Sequence, residues 1–239
     1  MSMHGTTLPR WMGGMMAVAL LGGCAAPQSD GSTPIAQQGS SVGCASWGFD
    51  EDQPGAVPKG WSIRETNPTQ SLAMWKVIVD TTAPSAPHVL ALTKSENWGG
   101  TFNLAIAEDS SFKDLDLTVR VKAVEGEEDQ GGGPIWRCRD ENNYYICRLN
   151  PLESNFRVYK VEGAKRRQLD SVKVESQAGQ WYVIRVTMIG NQITCYLDGE
   201  KRLEAVDDTF TDVGMVGLWT KADAVTSFDH MEVRSLDEH

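Results

Sequence analysis

From Trp47 onward the chain alternates apolar and polar residues, and no stretch carries the sustained apolar stripe of a helix. The clearest case sets Leu115, Leu117, Val119, Val121 and Ala123 against Asp116, Thr118, Arg120 and Lys122, which predicts a half-buried antiparallel strand. The pattern centres on residues 131–161, GGGPIWRCRDENNYYICRLNPLESNFRVYKV. Here Trp136–Arg139 and Tyr144–Asn150 are rich in aromatic and β-branched residues and flank the turn-forming Asp140-Glu141-Asn142-Asn143. A second turn at Pro151–Ser154 leads into Asn155–Val161, giving three consecutive antiparallel strands. Even-length loops pair odd positions with even ones. Trp136, Cys138, Tyr145, Cys147, Leu149, Phe156 and Val158 therefore share the core face, and Arg137, Tyr144, Arg148, Asn150, Asn155, Arg157 and Tyr159 share the other.

Further strands are expected at Trp61–Glu65, Trp75–Asp80, His88–Lys94, Phe102–Ala107, Lys165–Val174, Trp181–Met188, Gln192–Leu197, Arg202–Val206, Met215–Thr220 and Thr226–Val233. Asp198-Gly199 between two of them is a strong hairpin signal. A dozen or so short strands without helices imply an all-β, two-sheet antiparallel β-sandwich, a jelly roll.

Ahead of this domain, 47–239, the composition changes twice. Residues 1–23 hold Arg10, a short apolar run from Trp11 to Leu21, and two glycines, which reads as a secretory signal rather than a membrane span. Residues 24–46 are rich in Ser, Gly, Gln and Pro and read as a flexible tether. The Leu21-Gly22-Gly23-Cys24 junction resembles the bacterial lipoprotein box, which implies lipidation at Cys24 and an address in the cell envelope. Ala25 follows where an Asp would resemble the inner-membrane retention signal, so the expectation is the outer membrane.

A formal net charge of −10 argues against a nucleic-acid partner and against adsorption to anionic lipid, so the lipid on Cys24 would be the membrane contact of an otherwise monomeric protein. Four cysteines remain: Cys44, Cys138, Cys147 and Cys195. Cys138 and Cys147 sit opposite each other in one register of the first hairpin, and either a disulfide or buried thiols fit. The Gly131–Gly133 run has no Lys-Ser/Thr after it and opens no helix, which excludes a phosphate-binding loop.

The order GGGPIWRCRDENNYYICRLNP, NFRVYKVEGAKRRQL, WYVIRVTMIGNQITCYLDGEKRLE, VGLWTKADAVTSFDHMEV resembles the concanavalin A-like lectin and glucanase superfamily, among exported bacterial modules of the laminin-G-like, 3-keto-disaccharide hydrolase and glycoside hydrolase family 16-like kinds. The resemblance implies a jelly roll whose concave sheet often binds saccharide. It also implies a structural Ca²⁺ between the first and last strands, for which Asp50 and Asp229 are the candidate carboxylates; backbone carbonyls would have to complete the six to eight ligands. The glycosidase label fails one test: the Glu-x-Asp-x-x-Glu strand that brings nucleophile and acid to about 5 Å is missing. Asp114 and Asp116 form a pair without a third member, and Glu125, Glu127 and Asp129 read as solvated loop charges. His88 and His230 belong to no catalytic motif.

The expected function is therefore a lipid-anchored carbohydrate-binding or envelope-associated module, with a saccharide hydrolase or lyase as the alternative and a structural or protein-interaction role as the third reading. Arg137, Arg148 and Arg157 would form a row that needs negative charge beside it. Either carboxylates such as Asp116 or Glu153 supply it, or the row binds ligand together with Tyr144, Asn150, Asn155, Tyr159, Trp219 and Lys221.

Overall fold

The computed structural model describes residues 43–236 apart from residue 86; the signal segment, Cys24 and most of the expected tether lie outside them. Fifteen strands are seen among the described residues: β1 (Cys44–Trp47), β2 (Trp61–Thr66), β3 (Met74–Val79), β4 (His88–Lys94), β5 (Phe102–Phe112), β6 (Leu115–Glu125), β7 (Gly132–Asp140), β8 (Asn143–Asn150), β9 (Asn155–Glu162), β10 (Lys165–Lys173), β11 (Tyr182–Ile189), β12 (Gln192–Leu197), β13 (Glu200–Val206), β14 (Gly214–Lys221) and β15 (Val225–Ser235). They form two antiparallel sheets. The first runs β13-β12-β11-β6-β15-β4-β3 with β1 added to β15, and the second runs β10-β9-β8-β7-β14-β5-β2.

The alternation along β6, β11 and β8 sends Leu117, Val119, Ile184, Val186, Tyr145 and Cys147 between the sheets, where they join one continuous core. The Asp198-Gly199 turn has both residues at positive φ, 50° and 81°, the twist that joins tight hairpins. β1 lies inside what the composition reads as tether. Cys44–Trp47 pairs with the end of β15, and Trp47 packs edge-on to Trp61 with ring centroids 5.7 Å apart. A large ring and a ladder of backbone bonds help to order a segment whose other residues are small, and Cys44 is disulfide-bonded.

The second sheet buries its outer face as well. Phe102, Leu104, Ile106, Ile135, Tyr144, Ile146, Tyr159, Val161 and Trp219 form a second apolar cluster there. β10 and β5 are five strands apart in this sheet, which laid flat would separate them by about 24 Å at the usual strand spacing. Yet the Arg166 guanidinium of β10 lies 5.0 Å from the Phe102 ring of β5. Thr66 at the end of β2 meets Tyr144 of β8, oxygen to oxygen at 2.9 Å, and the Asn67 amide donates to the Ala164 carbonyl at 3.0 Å. The sheet is thus rolled until its two edges meet across the concave face.

Two expectations for the first hairpin change here. Trp136 pairs with Tyr145 and Asp140 with Asn143, so β7 carries two more residues than β8 over this stretch. One of them is taken up at Arg137, at φ 44°, where β7 also gains one residue on β14: Met215 pairs with Cys138 and Gly217 with Ile135. The bulge turns Cys138 onto the concave cluster while Cys147 stays in the inter-sheet core, so the Cys138–Cys147 disulfide does not form; both are free and buried, as is Cys195.

Arg137 also leaves the expected row with Arg148. Its fully buried side chain donates to the carbonyls of Lys113 (2.8 Å), Phe210 (2.7 Å) and Gly190 (2.8 Å) and to Asp114 Oδ1 (2.9 Å). This guanidinium ties loops at one end of the sandwich. Arg137→Ala would leave those acceptors buried without donors, and a loss of about 3–5 kcal/mol in denaturant unfolding is expected, with Arg137→Lys recovering only part of it.

Candidate functional site

The concave face of the rolled sheet holds most of the predicted polar residues. Arg148 stands opposite Arg157, and Asn150 opposite Asn155, as the hairpin parity requires. Next in the same row comes Gly133, which pairs with Trp219 on β14. A Cβ at Gly133 would stand 1.9 Å from the Cys147 carbonyl oxygen and 3.2 Å from the Arg148 Cα, so only glycine lets the strands approach this closely. The missing side chain also leaves the Arg148 and Trp219 side chains facing each other across a bare backbone. Tyr144, Asn150, Asn155, Arg157, Tyr159, Trp219 and Lys221 lie on this face, and of the predicted set Arg137 alone points elsewhere.

Two carboxylates organise the polar end. Asp129, read from the sequence as a solvated charge, is 1 % exposed. Its oxygens accept from the Asn150 amide at 2.8 Å and the Lys221 ammonium at 2.8 Å. Its loop is held by Asp223, whose carboxylate accepts from the backbone N–H of Glu127 (2.7 Å), Glu128 (3.1 Å) and Asp129 (3.0 Å). Burial raises the Asp129 carboxyl above its ordinary range, against the pull of Arg148 and Lys221. Glu153 answers the arginine pair: its Oε2 accepts from Arg148 at 2.9 Å, Arg157 at 3.1 Å and the Asn155 amide at 3.0 Å. Burial pushes the Glu153 carboxyl up, but the Asn155 and Arg148 donors outweigh it and bring the group down to about 2. Asp116, the other candidate partner for the arginines, pairs with Arg185 and Arg234 in the first sheet instead.

Arg166 is the residue that sequence reasoning missed. It sits opposite Val161, on the face of Tyr159, and its guanidinium covers three rings: Tyr159 at 4.5 Å, Phe102 at 5.0 Å and Trp219 at 5.8 Å. Any two-residue turn after β9 would have put it on this face by parity; what parity could not show is the rolled sheet that carries Phe102 to it. Asp129 had a weaker signal, its place two residues before the glycine run.

Four hydrogen-bonding atoms in this cluster are buried without a partner: Arg148 Nε and Nη1, Arg166 Nη1, and Asn155 Oδ1. They are half of the eight such side-chain atoms among the described residues, and Arg148 is only 1 % exposed. Native folds keep such groups few, so their concentration in one cluster sets this part of the concave face apart from the rest of the described surface.

The two carboxylates of the expected cation site are engaged within the fold. Both Asp229 oxygens accept from Ser85, from its N–H at 2.8 Å and its hydroxyl at 2.9 Å, while Asp50 Oδ1 accepts from the His88 N–H at 3.0 Å. Hydrogen-bond donors thus hold both oxygens of Asp229 and one of Asp50, so a cation there would have to compete with them.

The two antiparallel sheets and the concave face define an all-β sandwich of the concanavalin A-like jelly-roll fold. The chain belongs to the family described as the 3-keto-alpha-glucoside-1,2-lyase-like domain, which matches residues 49–234. Solved structures similar to it include the carbohydrate binding module CBM66 from Bacillus subtilis, at TM-score 0.58 and 18% identity over 74% of this chain and 96% of that one. Domain 4 of AbnA, an extracellular GH43 arabinanase from Geobacillus stearothermophilus solved with arabinotriose, superposes at TM-score 0.52 and 11% identity, over 80% of this chain and 90% of that one. A prokaryotic β-1,3-1,4-glucanase from a mouse hindgut metagenome gives 0.53 and 10%, over 80% and 98%. No curated protein matches the sequence.

The depressed Glu153 fixes the direction of a pH effect. A carboxyl lowered in the folded chain adds stability that is complete above its unfolded value of 4.5 and is lost as the pH falls through about 2. Asp129, raised by burial, acts in the opposite sense. Glu153→Gln is therefore expected to lower the melting temperature at pH 7 and to flatten its acid dependence between pH 4.5 and 2, read by calorimetry across that range.

Proposed function

We propose that this domain is a saccharide-recognition module whose ligand lies on the concave face of the rolled sheet, between Arg148 and Trp219. One observation carries the reading: three unpartnered guanidinium atoms and one unpartnered amide oxygen gather beside aromatic rings. Sugar hydroxyls both donate and accept, and the C–H faces of a pyranose pack on Tyr and Trp, so a saccharide answers both halves of the site. CBM66, a carbohydrate binding module, and the AbnA domain solved with arabinotriose support the same class of ligand. In the cell the domain would act as a monomer at the bacterial envelope, most simply on the periplasmic or outer side of the outer membrane, held by lipid on Cys24.

A second reading, a saccharide lyase or hydrolase, is favoured by the family itself and by two carboxyls that their surroundings drive apart, Asp129 upward and Glu153 downward. Incubating the purified domain with 3-keto-glucosides and with plant and microbial polysaccharides separates the two readings, since release of product requires the second and binding without turnover requires the first.

Arg148→Ala decides whether this is the ligand site. In the fold Arg148 serves two acceptors, Glu153 and the Tyr159 hydroxyl at 3.4 Å, and Glu153 keeps Arg157 and Asn155. The expected result is a loss of saccharide binding of about 10-fold or more, the worth of a charge-assisted hydrogen bond, with a smaller loss of stability than Arg137→Ala. Normal binding by a strongly destabilised Arg148→Ala protein would put the site elsewhere.

A further inference from the structure

Four cationic side chains, Arg148, Arg157, Arg166 and Lys221, gather at the polar end of the concave face around two carboxylates, Asp129 and Glu153. Both carboxylates are already committed. Glu153 Oε2 serves Arg148, Arg157 and Asn155, and Asp129 serves Asn150 and Lys221. Arg166 has no carboxylate partner and rests on ring faces alone, and three of the four unpartnered atoms in the cluster are guanidinium donors. In a chain of net charge −10, this is a local excess of positive charge and of donors, in which Arg148 is buried, Arg166 and Lys221 are half-buried and Arg157 reaches toward solvent.

A neutral sugar would satisfy the donors with hydroxyl oxygens but, by covering them, would take the excess charge out of water uncompensated. Uncompensated buried charge is costly, and burial already lowers the proton affinity of the Arg166 guanidinium.

We propose that the saccharide bound here carries a carboxylate: a uronic acid residue whose acidic group lies between Arg148 and Arg166. This rests on the saccharide reading above and names its ligand class. The carboxylate accepts from the free donors of the two arginines, while a ring hydroxyl donates to Asn155 Oδ1. Arg166 is also the side chain that has to move for the ligand to enter. It reaches over Tyr159, Phe102 and Trp219 from β10, an edge strand, on a flexible unbranched stem. Lifting from the rings onto the carboxylate, it would expose the Tyr159 and Trp219 faces to the sugar and exchange ring contacts for an ion pair.

The test is calorimetric titration of the full described domain with a panel of glucuronic- and galacturonic-acid oligosaccharides, each beside its methyl ester, which keeps the shape and removes the charge. Neutral gluco-, fructo- and arabino-oligosaccharides complete the panel. At least one acid is expected to bind about 10-fold or more tightly than its own ester. Arg166→Gln should erase that difference while leaving the melting temperature nearly unchanged, because the Arg166 side chain leaves from the edge strand β10 and its guanidinium makes no hydrogen bond or ion pair among the described residues. If esters or neutral sugars bind as tightly as the acids, the acidic ligand is wrong and the saccharide site stands. If no saccharide of either class binds, both fall. An acid preference that survives in Arg166→Gln and in Arg148→Gln would remove these arginines from the site.

Discussion

The second sheet is apolar on both faces, and that constraint shapes the molecule. A strand buried on one face alternates apolar with polar residues, but β8 reads Tyr144, Tyr145, Ile146, Cys147, Arg148, Leu149, and every one of these is buried. Packing against the first sheet hides Tyr145, Cys147 and Leu149. Tyr144 and Ile146 need a second cover, and with no helix among the described residues the sheet supplies it by rolling up. At the usual worth of apolar area, each large side chain hidden this way contributes roughly 2 kcal/mol, enough to favour strong curvature over an open face.

Rolling creates the site as a by-product. The same curvature that closes Leu104, Ile135 and Ile146 into a cluster draws Arg166 over Phe102 and Trp219. It also leaves Arg148 out of water. Its two carboxylate neighbours keep the arrangement tolerable: Glu153 is exposed enough to remain charged, and Asp129 is held by an ammonium and an amide. What remains unsatisfied is directional and local: two nitrogens of Arg148, one of Arg166 and the Asn155 amide oxygen.

The arginines show how differently one residue type is used a few positions apart. Arg137 spends its donors on backbone carbonyls of three loops and so fixes the end of the sandwich. Arg148, one strand over, keeps two nitrogens unused. A difference of this kind cannot be read from charge or position in the row, because it is set by which loops happen to arrive at each side chain.

Alternation, turn residues and hairpin parity by themselves determined nearly every strand from β2 to β15, the antiparallel pairing, the Arg148–Arg157 register and the face on which Asn150, Asn155 and Tyr159 lie, because these follow from a period of two and from loop length. They missed β1, whose order comes from Trp47 meeting Trp61 and from a ladder with β15 nearly the whole chain away. They put Cys138 beside Cys147 and Arg137 beside Arg148, because a bulge at a single residue in the left-handed region reverses parity and no local signal announces it. They took Asp129 for surface and passed over Arg166, since burial of the first depends on Asp223 gathering its loop and the role of the second on a ring brought from five strands away. Periodicity is local and was legible; curvature and loop packing sum contacts over the whole chain, and only the tertiary structure could decide them.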